Sequence, residues 1–292
     1  MEILPNQIIT LVNSVYNDRD RHYHTMKHID NMLEEFQFLI DAHPDVVDKL
    51  KHYREFRIAI LFHDIINGEE QDTDKSAWIM SKLLENQNLD LEYTDKLIMA
   101  TTHDNRELKT LDEQLIHDLD LLILCSSSEK YIEYVNNIRK EYNEISDNLY
   151  IEKRKEILNN FLSNKIYLTE YYSIMEDIAK ANVQYELDNI DNWDNLYLYN
   201  TFLSELTGAL KRIYIPARVD SKEVYSCLAS IIADRDNIRK VTDSDTYSLM
   251  YEGLKSYDSN VGAIFLIPID IYKEFYEKAK EGNSIFNLVK WR

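Results

Sequence analysis

Phe56-Arg57-Ile58-Ala59-Ile60-Leu61-Phe62-His63-Asp64 is apolar on every side from Ile58 to Phe62 and then closes on an imidazole and a carboxylate. With the polar residues ahead of it, the run is long enough for a buried helix from about Asp48 to Asp64, broken by Asn67-Gly68. Upstream, Ile29, Met32, Leu33, Phe36, Leu39 and Ile40 recur at i, i+3, i+4 and i+7, which predicts an amphipathic helix ending near His43-Pro44. Downstream, the same reading predicts helices over about Lys75 to Glu85, Tyr93 to His103, Ser128 to Tyr142, Ile151 to Asn160 and Tyr171 to Leu187. The last third differs. Ile213 to Val219 and Val261 to Ile267 are β-rich runs between turn residues, with helical stretches over about Val224 to Ala233 and Tyr272 to Lys280. The expectation is a mainly α chain, with a helical bundle over residues 1–204 and a small α/β appendage over 205–292.

Composition agrees with helices. Among 292 residues there are 5 glycines and 4 prolines, and 45% of the chain is hydrophobic, so long uninterrupted helices around a sizeable core are favoured over sandwiches. Acidic residues number 52 against 33 basic, a formal net charge of −19. A surface that negative repels nucleic acid phosphates and anionic membranes, so neither is an expected partner. The two cysteines, Cys125 and Cys227, stand alone and form neither a disulfide framework nor a CxxC zinc site. The first residues lack a basic segment and a long apolar stretch, and no run approaches the ~18 apolar residues of a membrane helix. A cytoplasmic protein is expected.

The residues that carry chemistry are histidines and aspartates. Arg21-His22-Tyr23-His24-Thr25-Met26-Lys27-His28 places His24 and His28 four apart, on one face of a helix. This is either a solvated helix start or part of a site. A zincin helix would need Glu directly after the first His, and Thr25 stands there. His63-Asp64 ends the apolar run, where an unpartnered carboxylate is costly; a shared cation or a satisfied core histidine explains it. Asp118-Leu119-Asp120 precedes the apolar Leu121-Leu122-Ile123-Leu124 and is either a helix N-cap or a source of oxygen ligands.

In this order the pieces resemble the HD superfamily of metal-dependent phosphohydrolases: a His, a His-Asp doublet, then a distant Asp, converging inside a helical bundle. The likeness extends to a bacterial subgroup of predicted HD phosphohydrolases. It is carried by Arg21 to Ile29, Phe62-His63-Asp64, Lys75-Ser76-Ala77, Ala100 to His103, Asp118 to Leu121, and the stretch Tyr134 to Phe161 with Arg139, Glu141 and Tyr142. It covers roughly residues 8 to 190. The resemblance implies an HD-domain bundle in which His28, His63, Asp64 and Asp120 ligate a metal, Asp120 being preferred over Asp118. It also implies that His24 and His103 line the site, for a second metal or for substrate phosphate. One departure stands out. The subgroup carries a pair of acidic residues, most often Glu, just before Lys75, where this chain has Thr73-Asp74.

Two imidazoles and two carboxylates without a thiolate suit a divalent cation such as Mn, Fe, Ni, Co, Zn or Mg, and ligand softness does not choose among them. No GxxxxGK loop is present to cradle phosphates, so phosphate is expected to meet the metal and neighbouring cations. Arg21, Lys27 and Lys75 are the candidates, Arg21 for bidentate grip. Asp64 is the candidate for orienting water, and His103 the candidate general acid. The expected activity is cleavage of a phosphate ester, of a nucleotide or related small molecule, with homodimerisation open. The alternative is an HD-type module that binds nucleotide or metal without turnover.

Overall fold

The apolar run around Ile60 does form a helix, and the chain before and after it coils around that helix. The computed structural model describes residues 4–68, 71–104, 106–191, 210–215, 263–268, 276–277 and 290–291. By contact the chain divides into two compact units. One is Met1–Phe38 with Asp45–Leu198, and the other is Leu39–Pro44 with Tyr199–Arg292.

The first unit is mainly helical. Its elements are α1 (Asn6–Tyr16), α2 (Met26–Ala42, whose last residues belong to the other unit), α3 (Asp45–Lys49), α4 (Tyr53–Phe62), α5 (Asp72–Leu84), α6 (Leu91–Met99), α7 (Leu111–Asp120), α8 (Ser128–Glu141), α9 (Asp147–Ser163) and α10 (Glu176–Asn189). A 3-10 turn, Leu121–Cys125, follows α7 directly. On α4, Phe56, Ile58, Ala59, Ile60 and Phe62 are all buried. Phe36 of α2 sits with its ring 4.5 Å from that of Phe56. Tyr93, Leu97 and Ile98 of α6 and Leu115, Ile116 and Leu119 of α7 complete the core. Each such side chain contributes about 1.5–3 kcal/mol by leaving water.

The helix expected from Asp48 to Asp64 is two helices. Between α3 and α4 the backbone N–H of Lys51 donates to the Asp112 carboxylate at 3.1 Å, and His52 is extended at φ −146°. A buried acceptor has drawn the chain out of helical conformation. The helix expected to reach His103 stops at Met99. The hydroxyls of Thr101 and Thr102 donate to the carbonyls of Ile98 and Met99 at 2.8 and 2.9 Å, and His103 follows at φ +52°, a strained conformation for a residue with a Cβ.

α7 is an element that the hydrophobic periodicity did not predict. Thr110 caps it and Glu113 reaches back to the Thr110 backbone, a complete capping box. Asp118 and Asp120 therefore lie in the last turn of a helix, which corrects the N-cap reading of this segment.

Of the second unit, the described residues beyond 191 include three short strands, β1 (Leu210–Ile215), β2 (Ala263–Pro268) and β3 (Lys290–Trp291). They pair antiparallel in the order β2-β1-β3, with Ile213 opposite Phe265 and Trp291. β1 and β2 overlap the two β-rich runs. The helix expected over Val224 to Ala233, and most of that over Tyr272 to Lys280, lie outside the described residues. Among the described residues no helix is long and apolar enough to cross a membrane.

Candidate metal centre and adjoining cavity

His63 is held at the carboxyl end of α4 in helical geometry, and Asp64 follows it into the turn. A helix end leaves carbonyls without partners, and here each finds one. Tyr16 donates its hydroxyl to Leu61 O at 3.0 Å. Arg21 donates to Asp64 O and Ile65 O, each at 2.8 Å. The His63 ring places Nδ1 2.9 Å from Ile60 O. Since a carbonyl only accepts, Nδ1 carries a hydrogen in either charge state, and Nε2 is the nitrogen turned to the interior, holding a proton there or, once that proton is lost, a lone pair for a cation.

Toward that nitrogen come His28, from the first turn of α2, and Asp120, the last residue of α7. His28 Nε2 lies 3.2 Å from His63 Nε2 and 3.1 Å from Asp120 Oδ1. His63 Nε2 lies 2.9 Å from Asp64 Oδ2 and 3.4 Å from Asp120 Oδ1. His28, His63, Asp64 and Asp120 each offer one ligand atom, and these atoms all fall within 4.8 Å of one another. Ligand distances of ~2.1 Å put neighbouring ligand atoms ~3.0–3.4 Å apart in octahedral or tetrahedral sets; the four separations above are close to that range, and His28 Nε2 to Asp64 Oδ2 is slightly longer at 3.6 Å. The four residues can hold a metal ion. The negative ends of α4 and α7 both meet there, which favours a cation further.

The electrostatics are those of a cation site. Burial alone would lower the His63 ring pKa, but Asp64 and Asp120 hold it well above its usual value. Burial would raise the two carboxyls. The charge on His63 holds both below their usual range, joined at Asp64 by His24 and at Asp120 by bonds from His103, His28 and His63.

Asp118 and Asp120 are separated by about 200° around the helix, and the structure gives them different tasks. Asp118 is fully buried and accepts from Leu168 N, Thr169 N and Thr169 Oγ1 at 2.7, 2.8 and 2.6 Å. Burial pushes its carboxyl up to about 7 against the pull of those donors. It is a clasp between α7 and the 168–169 backbone, and Asp120 is the member of the pair that joins the cluster.

Asp120 uses its second oxygen for His103, whose Nε2 lies 2.8 Å away. The other His103 nitrogen is 3.2 Å from His117 Nδ1. His117 Nε2 lies 3.2 Å from Ile166 O, so its hydrogen is there and its Nδ1 accepts. Burial, with the neighbouring His103, lowers the His117 pKa to about 4. Both nitrogens of His103 thus face acceptors. His117 was missed at the sequence level, though it stands three residues before Asp120, a spacing that puts two side chains on one helix face.

The remaining expected site residues fall in different places. His24 lines the cavity beside the cluster, but its Nδ1 is 2.6 Å from Glu141 Oε2, which makes it less available to phosphate. The other Glu141 oxygen accepts the backbone N–H groups of His22, Tyr23 and His24 at 2.6, 2.7 and 2.9 Å. Glu141 is thus the anchor of the histidine segment. Arg21, expected to grip phosphate, binds the backbone carbonyls of His24, Asp64 and Ile65 instead and does not line the cavity. Lys27 is 75% exposed beside Glu133 at 3.5 Å, and Lys75, half-buried on α5, is also absent from the cavity wall. All three cations therefore stand off the wall of this cavity. For Lys27 helix geometry is the reason, because the residue next to His28 on α2 is turned about 100° away from it.

The cavity, about 450 Å³, opens directly on Asp64, His103 and Asp120. The cations on its wall are Lys153 and Arg154 of α9. Asp72 and Thr73 line it too, whereas Asp74 is exposed to solvent. Of the acidic residues ahead of Lys75, the one at the cavity is Asp72. Comparison with family models, with curated proteins and with solved structures finds no match to this chain.

Proposed function

We propose that this chain is a metal-dependent phosphohydrolase of the HD type, cleaving the phosphate ester of a nucleotide or related small molecule. The observation that carries the reading is the convergence of His28, His63, Asp64 and Asp120, of which Asp64 and Asp120 line a substrate-sized cavity. His28 and His63 would hold a divalent cation through Nε2, and Asp64 and Asp120 through one carboxylate oxygen each. Such an ion supplies two things: a water acidified from ~15.7 toward ~7, and charge neutralisation on phosphoryl oxygens.

The chain's own groups supply the rest. Asp64 lines the cavity and orients the attacking water by accepting its hydrogen. His103 stands on the same wall between Asp120 and His117, and by giving up its longer contact, to His117 at 3.2 Å, it can turn an N–H to the leaving oxygen. The strained backbone at His103 is consistent with a side chain held for chemistry rather than for packing. Arg21 acts through the backbone, pinning the His63-Asp64 turn.

Protein purified without chelator, then loaded with Mn²⁺ or Zn²⁺, is expected to bind one ion and hydrolyse members of a phosphate-ester panel. His63→Ala and Asp64→Ala should each abolish both metal retention and turnover, and full activity in either variant refutes the assignment. Tight binding of an uncleaved nucleotide by the metal-replete protein would instead identify a binding module without turnover.

A further inference from the structure

Helix α9 turns an unusual face to the cavity. Leu149, Lys153, Ile157 and Phe161 stand four residues apart and share one side of the helix, and all four line the cavity. Leu149 and Ile157 are 48% and 46% exposed, large apolar side chains left in water on the wall of the cavity that Asp64 and Asp120 also line. Tyr142 and Tyr150 face each other close by, with ring centroids 6.3 Å apart.

The charges of the wall are already balanced. Arg154 is 6% exposed, and its Nε and Nη2 donate to the two oxygens of the buried Glu186 at 2.7 and 3.0 Å. Nη2 also donates to Tyr134 Oη at 3.2 Å. Nη1 is left as the nitrogen for a ligand, on a guanidinium whose charge Glu186 neutralises. Lys153 is 61% exposed and ion-paired with Glu156 at 2.9 Å. Asp72 adds a negative charge to the same wall. Beyond the ion in the cluster, the cavity has no uncompensated positive charge among the described residues to hold a second or third phosphate.

We infer that the substrate carries a single phosphoryl group on a flat, largely apolar, uncharged body, packed against the Leu149–Ile157 face of α9, with a hydrogen-bond acceptor for Arg154. This rests on the phosphate site proposed above and adds the class of leaving group.

Four probes test it on the metal-loaded full chain: 4-methylumbelliferyl phosphate (flat, with a carbonyl), 1-naphthyl phosphate (flat, without one), glycerol phosphate (small and polar) and inorganic triphosphate (polyanionic). KM is expected to rise in that order, by at least about tenfold between the first and third, equivalent to about 1.4 kcal/mol. Leu149→Asn and Ile157→Asn, neutral changes at exposed positions where folding is not at stake, should raise KM for the two aryl esters by a larger factor than for glycerol phosphate. Arg154→Lys keeps a charge beside Glu186 and should erase the difference between the two aryl esters. Glycerol phosphate or triphosphate handled as well as the aryl esters overturns the inference, as do rim variants without effect. Should none of the four be cleaved, the same order is read from binding calorimetry. There, a preserved aryl preference removes turnover but keeps the inference, and equal binding removes the inference as well.

Discussion

Two buried polar clusters lie in the helical unit, and they are built on opposite plans. Around Arg154 every charge has its counter-charge: Glu186 receives Nε and Nη2 of Arg154 and the hydroxyl of Tyr131 at 2.6 Å. Around His63 the groups that converge are metal-ligating atoms, two Nε2 atoms 3.2 Å apart and two carboxylates, with the His63 proton as the charge between them. The first cluster is complete without any ligand and stiffens the packing of α8, α9 and α10. The second brings two carboxylates onto two imidazoles, a set that can hold a cation in place of a proton. Buried charge is thus a poor sign of function until the balance of donors and acceptors has been counted.

The contrast can be broken at either end. Glu186→Ala should have the largest effect on stability, about 3–5 kcal/mol, because it strands a buried guanidinium. Denaturant melts of the metal-free protein measure it, and an undiminished midpoint would show that the network is not structural. Asp120→Asn should remove metal binding, and because it also weakens the contacts to His28, His63 and His103, the response to metal rather than the metal-free midpoint identifies it. The parent should gain about 2.7 kcal/mol of stability at a metal concentration ~100 times the dissociation constant, and this variant should gain almost nothing. Asp118→Asn, two residues away, should lose about 1–3 kcal/mol by presenting an amide to three donors and still gain stability from metal. A common response of the two variants would erase the distinction drawn between them.

Smaller effects sharpen the picture. Burial would raise the Glu141 carboxyl, but its bonds from His24 and the 22–24 backbone hold it at about 2, below the ordinary 4.5. A carboxyl depressed in the folded state contributes stability above pH ~4.5 that is lost as the pH falls toward ~2. Glu141→Gln should therefore flatten the acid limb of the stability profile in that window. Lys27→Ala, at an exposed ion pair, should change stability by less than about 0.5 kcal/mol and leave metal binding and hydrolysis intact. A large loss of activity there would restore the phosphate role to Lys27.

What the amino-acid order revealed, and what it hid, follows from the range of the forces involved. The buried helix around Ile60 and the amphipathic α2 were readable because hydrophobic period is local. The four converging residues were readable because their chemistry is unusual for such apolar neighbours and because their order resembles a known pattern. The break at Lys51 was not readable, since its cause is Asp112, 61 residues away. Helix α7 was passed over because Asp118 and Asp120 drew attention as a possible cap, although Thr110 and Glu113 carried the signature of its start. The fates of Arg21, Glu141 and Arg154 were hidden for a single reason: a charged side chain is assigned its partner by tertiary packing, and each has a partner 32 or more residues away, Ile65, His22 and Glu186 respectively.

Anomalous diffraction from a crystal soaked in Mn²⁺ or Zn²⁺ tests the central claim most directly. The predicted result is one strong peak at ~2.0–2.3 Å from His28 Nε2, His63 Nε2 and a carboxylate oxygen of both Asp64 and Asp120. A map without density between those four residues, or with the ion bound elsewhere in the helical unit, would contradict the account.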